Sequence, residues 1–166
     1  SAVNDAELMS GKQVTSAFVG ISGGHINGLN SEGVVGIKDK KVKVSDVDRV
    51  ITAAQAYAIP DESQLLHVLP RDYIIDQQNG IKEPLGMAGV RLETKVHLVT
   101  CNRNSAQNIS SCMKACGIYV EGFVLEQLAS SYSVLSEDEK ELGTCLIDMG
   151  GGTSDVAVFQ NGAISH

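Results

Sequence analysis

The chain has 166 residues, a formal net charge of −7 at pH 7 and no tryptophan. This acidic balance argues against a nucleic-acid interface or an anionic-membrane surface, because both would need a basic patch. No run of residues is long and apolar enough to span a bilayer, and no secretory signal opens the sequence. The length fits one domain or parts of two. We expect an internal piece of a longer protein, because the chain starts without Met in an apparent helix and stops in an apparent strand.

The first forty residues predict a helix end and a strand, followed by a glycine-rich turn. Residues 2–9 favour the end of a helix, with Gly11 as its stop. Residues 15–21 predict a strand, and a Ser-Gly-Gly-His run at 22–25 follows it. This turn lacks an acidic partner and a following helix start, so we interpret it as a hinge between domains rather than a phosphate loop. Residues 25–37 are small, polar and β-branched with interrupting glycines, which predicts an irregular strand or a hairpin.

A helix is predicted next, with Ser45 as its cap. Asp48 stands three residues after Ser45 and completes a capping-box pattern, and Pro60 lies beyond the helix end. Apolar residues recur at helical spacing and should form the buried side of this helix. They are Val47, Val50, Ile51, Ala54 and Ala58.

Two long strands are predicted after this helix. Residues 64–76 form the first, in which Pro70 marks an edge or a bulge because proline cannot donate to a β-ladder. Turn residues predict a loop over 77–89. Residues 91–100 alternate in polarity, as a half-exposed antiparallel strand does. Residues 25–100 therefore predict a strand–helix–strand–strand unit of α+β type, whose helix covers one face of a sheet and leaves the other open to a partner.

The histidines and cysteines do not form a recognisable catalytic or metal motif. His67 and His97 lie on predicted strands with no Ser or Cys nucleophile motif nearby, so each should be packed or solvated. Cys112 and Cys116 share the apolar stripe of a predicted helix, so we expect small core residues rather than ligands or a disulfide. The four cysteines thus indicate a reducing, cytoplasmic location.

The next forty residues alternate helix and strand. A helix at 105–116 should end at Gly117, and a strand at 119–125 and a helix at 126–135 should follow. The acidic run at 136–141 could suggest acid–base chemistry. Nothing nearby is apolar enough to perturb a carboxylate, so we interpret this run as a solvated turn.

Residues 146–158 predict a strand, a glycine turn and a second strand, and this hairpin carries the chemistry of the chain. Glycines 150–152 allow a positive φ and a close approach to another group, and a row of N–H groups in such a turn suits phosphate. Asp148, at the mouth of the first strand, can hold a hydrated Mg²⁺, and Thr153 adds a hydroxyl. The alternative is a plain hairpin whose glycines only make the turn. Asn161-Gly162 then predicts a type I′ turn.

The glycine turn resembles the second phosphate loop of the actin–Hsp70–sugar kinase superfamily. That resemblance rests on Asp148-Met149-Gly150-Gly151-Gly152-Thr153-Ser154-Asp155. Further blocks narrow it, and over essentially its whole length the chain is similar to the FtsA family of bacterial cell-division proteins. These blocks are residues 66–70, 89–93, 95–100, and 129–135 together with 138–143.

This resemblance implies an actin-like protein in which an inserted domain stands in place of the usual small lobe of actin. Residues 22–101 would be that domain, an SHS2-like strand–helix–strand–strand fold. Residues 1–21 and 102–142 would be parts of the first actin-like lobe, a ribonuclease H-like α/β structure. Residues 143–166 would be the first hairpin of the second lobe, with the phosphate loop.

The resemblance also implies an ATP site. Gly150, Gly151, Gly152 and Thr153 would face the ATP phosphates, and Asp148 would face the Mg²⁺. No residue is implied to be catalytic. The first phosphate loop and the adenosine-binding glycines would lie outside this chain. We therefore expect at most weak ATPase activity in the full protein and none from this piece.

Partners follow from the same resemblance. Proteins of this family lie on the inner face of the membrane at the division site, tether FtsZ filaments, self-assemble and recruit later division proteins, and the inserted domain contributes to the last two roles. Here we expect no nucleic-acid partner, and membrane contact only through a C-terminal segment outside this chain. The alternative is another actin-like ATPase, such as a pilus-assembly ATPase, which residues 65–100 fit poorly.

Overall fold

The computed structural model describes residues 2–56 and 59–165, and these form three sheets with five helices, which confirms the predicted α+β class. The helices are α1 (Ala2–Ser10), α2 (Val44–Ala54), α3 (Arg103–Ala115), α4 (Glu126–Val134) and α5 (Glu137–Leu142). The strands are β1 (Ser16–Ile21), β2 (Asn27–Gly36), β3 (Ser63–Ile75), β4 (Gln78–Ile81), β5 (Arg91–Asn102), β6 (Tyr119–Leu125), β7 (Thr144–Met149), β8 (Ser154–Gln160) and β9 (Ala163–Ile164). The strand orders in the three sheets are β1-β6, β2-β5-β3-β4 and β7-β8-β9. The first sheet is parallel and the other two are antiparallel.

Strand β2 is one unbroken ten-residue strand, paired with β5 along its whole length. The expectation of an irregular strand or a hairpin over 25–37 is therefore wrong. Gly28 and Gly33 interrupt the sequence pattern here because, at each of them, a neighbour leaves no room for a side chain. A Cβ on Gly28, for example, would lie 2.7 Å from Nε2 of His97 on the adjacent strand.

Helix α2 packs onto β2 at a second glycine. A Cβ on Gly33 would lie 2.7 Å from the backbone nitrogen of Ala54 and closer still to the carbonyl oxygen of Val50. Ser31 Oγ, two residues earlier, donates to the Ala54 carbonyl at 2.8 Å. Helix and strand backbones thus approach closely, and Val50 and Ala54 are completely buried.

The buried side of α2 faces the main core of the four-stranded sheet. The predicted apolar stripe is confirmed for Val47, Val50, Ile51 and Ala54, whereas Ala58 lies outside the described residues. The core cluster under the helix consists of Ile37, Val42, Val50, Tyr73, Ile75, Ile81 and Leu92.

The N-cap of α2 lies two residues before the predicted cap. It is Lys43, so the predicted capping box of Ser45 with Asp48 is wrong. The carboxylate of Asp46, which is 2% exposed, accepts the Lys43 N–H at 3.0 Å and pairs with Arg49 at 3.1 Å. A carboxylate in the first turn satisfies an otherwise unpaired backbone N–H and lies at the positive end of the helix dipole. The buried acid, not the serine hydroxyl, therefore fixes the helix start.

The register of β3 with β5 shifts between Pro70 and Asp72, which is consistent with a bulge, one of the two features predicted for Pro70. The predicted loop over 77–89 is wrong in part, since it contains the short strand β4 paired back on the end of β3. Asp76 and Gln77 make the connecting turn with φ of 46° and 77°. The Asp76 carboxylate also accepts the Val90 N–H at 3.0 Å, which ties this turn to the start of β5.

Strand β5 is half-exposed only near its start. Arg91 and Lys95 are exposed, but residues 96–101 are all buried, so the predicted alternation over 91–100 is wrong for the second half. Because successive side chains point to opposite faces, consecutive burial means that both faces of the sheet are covered here. On the face away from α2, Val99 packs against residues of the other two sheets. These are Leu125, Leu146, Ala157, Phe159 and Ile164.

Helix α3 packs beside the parallel pair β1–β6 through a narrow contact. Ala106 is buried against Ile21 and Cys101. Cys112 and Cys116 are exposed, so the prediction that they are core residues is wrong. Their positions on the helix lie outside this contact.

The acidic run at 136–141 forms the cap and most of α5, so the predicted turn is wrong, although residues 136–139 are exposed as predicted. Ser136 Oγ accepts the Glu139 N–H at 3.3 Å, and the Glu139 carboxylate accepts the Ser136 N–H at 2.8 Å. This capping box starts α5. The predicted type I′ turn between β8 and β9 is confirmed, because Asn161 and Gly162 have φ of 55° and 75°.

The contact of α2 with β2 predicts a large penalty for a side chain at position 33. Gly33→Ala should lower the free energy of unfolding by about 2–3 kcal/mol, because the added methyl meets helix backbone that cannot move aside cheaply. Gly36→Ala on the same strand is the control, since open space surrounds a Cβ there. Urea unfolding of both variants checks this. Equal losses at the two positions would contradict the packing argument.

Candidate functional site

The β7–β8 hairpin holds all five predicted site residues in one place. Asp148 is the second-to-last residue of β7, on the same face as the buried Leu146, and its side chain is half-buried. Asp155 is its pairing partner on β8. Like charges that face each other across strands are unfavourable in isolation, so this pair favours a bound cation or donor beside it.

The loop at 150–153 is exposed and closed by a single turn. The Gly150 N–H donates to the Thr153 carbonyl at 2.9 Å, so this amide already has a partner within the loop. None of glycines 150–152 has φ in the left-handed region, so the expected use of positive φ is wrong. A Cβ on Gly151 or Gly152 would meet nothing within 4 Å. The loop can therefore approach a bulky anion closely from the solvent side.

Helix α4 supplies a hydrogen bond to Asp148 that the sequence analysis did not find. Ser130 Oγ donates to Asp148 Oδ2 at 3.1 Å. The neighbouring Ser131 is 1% exposed and donates to the Leu128 carbonyl at 2.7 Å. Serine in a helix gives no pattern that identifies a distant partner. The fold alone brings the two residues together, and it fixes one oxygen of the carboxylate.

The hairpin fits Mg²⁺ as one part of a site. Among residues 2–56 and 59–165, no group of three or more His, Cys, Asp or Glu side chains could hold a metal ion. Mg²⁺ keeps several waters and commonly takes one or two protein carboxylates together with phosphate oxygens. The half-buried Asp148 beside an open glycine loop matches that requirement. The described residues do not match a metal site whose ligands all come from the protein.

A histidine joins the four-stranded sheet to the start of α4. His67 Nε2, on β3, accepts the backbone N–H of Leu125 at 2.9 Å. This bond needs a neutral ring with its proton on Nδ1. Burial lowers the pKa of His67 below its ordinary value, which keeps the ring neutral. His67 is therefore a packed structural residue, as predicted, and so is His97, which is 4% exposed.

A cavity of about 190 Å³ lies where the three sheets meet. Its lining includes His97 from β5, Gln127 from α4 and Asp155 from β8. Gln127 is 6% exposed, and its Oε1 has no hydrogen-bond partner among the described residues. Gln127 was not among the predicted site residues, since a glutamine in the first turn of a helix has no distinctive pattern. The cavity can hold water that donates to this oxygen.

Comparison with known proteins defines the class of this fold. Residues 23–100 match the family described as the SHS2 domain inserted in FTSA, and they include the whole four-stranded sheet except the end of β5. The protein is thus built around an inserted SHS2 domain with α/β elements on either side.

The chain belongs to the FtsA family of cell-division proteins. It is 58% identical over 165 residues to cell division protein FtsA of Pseudomonas aeruginosa, which covers 99% of this chain and 40% of that relative. The corresponding identities are 51% for FtsA of Neisseria meningitidis serogroup B, with 99% and 40% covered, and 46% for FtsA of Escherichia coli K12, with 99% and 39% covered. The chain therefore spans about 40% of the length of these relatives. Family membership favours FtsA over the alternative of a pilus-assembly ATPase.

The hydrogen bond of His67 predicts a pH dependence of stability. A folded pKa below the unfolded value of about 6.5 means that the unfolded chain binds the proton first as the pH falls. The stabilisation is present above about pH 6.5 and is lost as the pH falls through the folded pKa. Urea unfolding from pH 7.5 to 5 should show a steeper loss for the native chain than for His67→Gln. Parallel curves would contradict this assignment.

Proposed function

We propose that this chain is the part of an FtsA-type division protein that joins a partner-binding SHS2 domain to one wall of an ATP site. The observation that carries the proposal is the parallel pairing of β1 with β6, from Ser16 with Tyr119 to Ile21 with Leu125. These two strands flank the four-stranded sheet in the sequence. A chain that leaves one sheet, builds another and returns to the first has the connectivity of a lobe with an inserted domain.

We infer the same division into parts that the resemblance implies. Residues 22–101 are the inserted domain, residues 1–21 and 102–142 belong to the first lobe, and residues 143–166 begin the second. The outer face of the terminal hairpin supports the last assignment, because it is apolar and open to solvent. Ile147 is 60% exposed and Val156 58% exposed on that face. Such a surface suits contact with the rest of a second lobe.

ATP with Mg²⁺ is the proposed ligand of the glycine loop. Gly151, Gly152 and Thr153 offer an open backbone to the phosphates, and Gly150 shapes the turn through its bond to the Thr153 carbonyl. Asp148 would bind a hydrated Mg²⁺, whose positive charge offsets the negative charge of the phosphates. Ser130 would hold the carboxylate in place. We assign no catalytic residue, and any ATP turnover would need groups from the opposing lobe.

The proposed partners are FtsZ filaments, later division proteins and further copies of the full protein, at the inner face of the membrane at the division site. Membrane attachment would use a segment outside these 166 residues. The open start of β5 supports a partner role for the SHS2 domain. It presents Arg91 and Lys95, with Glu32 and Val34 on the neighbouring strand, as a mixed exposed surface. Mixed surfaces of this kind suit contacts that form and dissociate.

The proposed metal role predicts the effect of neutralising Asp148. In the full-length protein, Asp148→Asn should weaken Mg²⁺-dependent ATP binding at least about tenfold, or 1.4 kcal/mol, because the amide carries no charge for the ion. Asp138→Asn on the exposed side of α5 is the matched control and should leave the affinity unchanged. Isothermal titration with ATP, with and without Mg²⁺, measures the difference. Unaltered affinity in Asp148→Asn would refute the metal role.

The isolated 166-residue chain should bind Mg²⁺-ATP only weakly, since one loop supplies a fraction of the contacts. Titration of the chain against the full-length protein checks this. Equal affinities would contradict the division of the site between two lobes. Arg91→Glu together with Lys95→Glu, on the exposed start of β5, should reduce partner recruitment by the full-length protein while ATP binding persists. Unchanged filament assembly and recruitment would remove the support for an interaction domain.

A further inference from the structure

Helix α4 has one hydrogen bond to the SHS2 domain and another to the phosphate-loop hairpin. Its N-cap Leu125, the last residue of β6, donates its backbone N–H to His67 Nε2 at 2.9 Å. On its second turn, Ser130 Oγ donates to Asp148 Oδ2 at 3.1 Å. Leu125 and Ser130 are five positions apart, which corresponds to about 7.5 Å along a helix. One short rigid element therefore touches both parts of the proposed functional unit.

The N-terminal end of α4 is also fixed at the point where the chain crosses into the SHS2 domain. Ser22 Oγ donates to Glu126 Oε2 at 2.7 Å. A Cβ on Gly20 would lie 2.9 Å from Cγ of Glu126, so strand β1 and this side chain are in close contact. The helix start therefore cannot shift without disturbing the crossing loop and the His67 bond together.

Packing along α4 keeps it from bending between its two bonds. Leu125 is 5% exposed and lies in the cluster around Val99, which joins all three sheets. Leu128 packs against the same cluster. Leu125 and Leu128 therefore hold α4 against one cluster over the stretch between its two hydrogen bonds. A movement at one end of α4 is thus passed to the other.

We propose that His67 and Ser130 are positioning residues that couple the SHS2 domain to the Asp148 carboxylate through α4. This proposal rests on the proposed role of Asp148 as the Mg²⁺ ligand. Binding of Mg²⁺-nucleotide at Asp148 changes the hydrogen bond between Ser130 and that carboxylate. Helix α4 transmits the change to the His67–Leu125 hydrogen bond. Nucleotide would therefore change the affinity for a partner that moves the SHS2 domain. By linkage, that partner changes the affinity for nucleotide by the same factor.

Amide hydrogen exchange on the 166-residue chain without nucleotide tests the coupling directly. In His67→Leu, which removes the acceptor, the Leu125 amide should exchange about tenfold faster, in line with loss of a buried hydrogen bond. The amides of residues 147–150 should exchange about threefold faster in the same variant. His67→Gln retains an acceptor and should restore both regions. His25→Leu, in the crossing loop, is the control and should leave both unchanged.

The reverse variant keeps the proposal testable if His67→Leu does not fold. Ser130→Ala should accelerate exchange of the Leu125 amide about threefold, although the hydroxyl that it removes bonds to Asp148 and not to Leu125. Faster exchange confined to the altered end in either variant overturns the coupling. An unchanged Leu125 amide in His67→Leu overturns it as well, because the bond would then carry no restraint.

Nucleotide binding in the full-length protein separates this proposal from the proposed function. His67→Leu should weaken Mg²⁺-ATP binding about threefold, with His67→Gln close to the native affinity. If exchange is coupled but Asp148→Asn leaves Mg²⁺-ATP affinity intact, the metal role fails and the mechanical link through α4 stands. If Asp148→Asn weakens binding but exchange at the two ends of α4 is independent, the metal role stands and the coupling fails.

Discussion

Burial of β5 on both faces is the constraint on which the rest of the structure depends. At the start of β5, buried and more exposed side chains alternate, as they do in a sheet with one face open to solvent. From Val96 to Cys101 every side chain is buried, so both faces must be covered by something. Helix α2 covers one face, and the terminal hairpin with the start of α4 covers the other through Val99. The SHS2 sheet therefore cannot complete its core without the flanking elements.

This shared core explains why the functional features lie where they do. The glycine loop is at the free end of the hairpin, outside the packed region, where it is open to a large anion. Asp148 lies at the boundary between them, half-buried and held by Ser130. Helix α4 crosses from the SHS2 domain to that carboxylate. A domain suited to partner contact and a loop suited to phosphate are thus parts of one packed body and not two modules joined by a flexible linker.

Local rules predicted the elements whose determinants are neighbours in the sequence. Pro70 predicted a bulge or an edge, and the register shifts there. Asn161-Gly162 predicted a type I′ turn, and both residues have positive φ. Features that depend on distant partners were not accessible in this way. Gly33 looks like a strand interruption until the backbone of α2 is placed against it, and Ser130 has no distinctive pattern because its partner Asp148 is 18 residues away. The exposure of Cys112 likewise depends on which side of α3 meets the sheets.

Native-state hydrogen exchange of Val99→Ala tests the shared core most directly. Truncating this fully buried side chain should cost about 2 kcal/mol, and amides of β2 in the SHS2 sheet and of β8 in the terminal hairpin should lose protection by similar amounts. Val34→Ala, at a half-exposed position of β2, should change neither. Loss of protection in β2 with β8 unchanged would contradict the account, because the SHS2 domain would then be complete without its flanking elements.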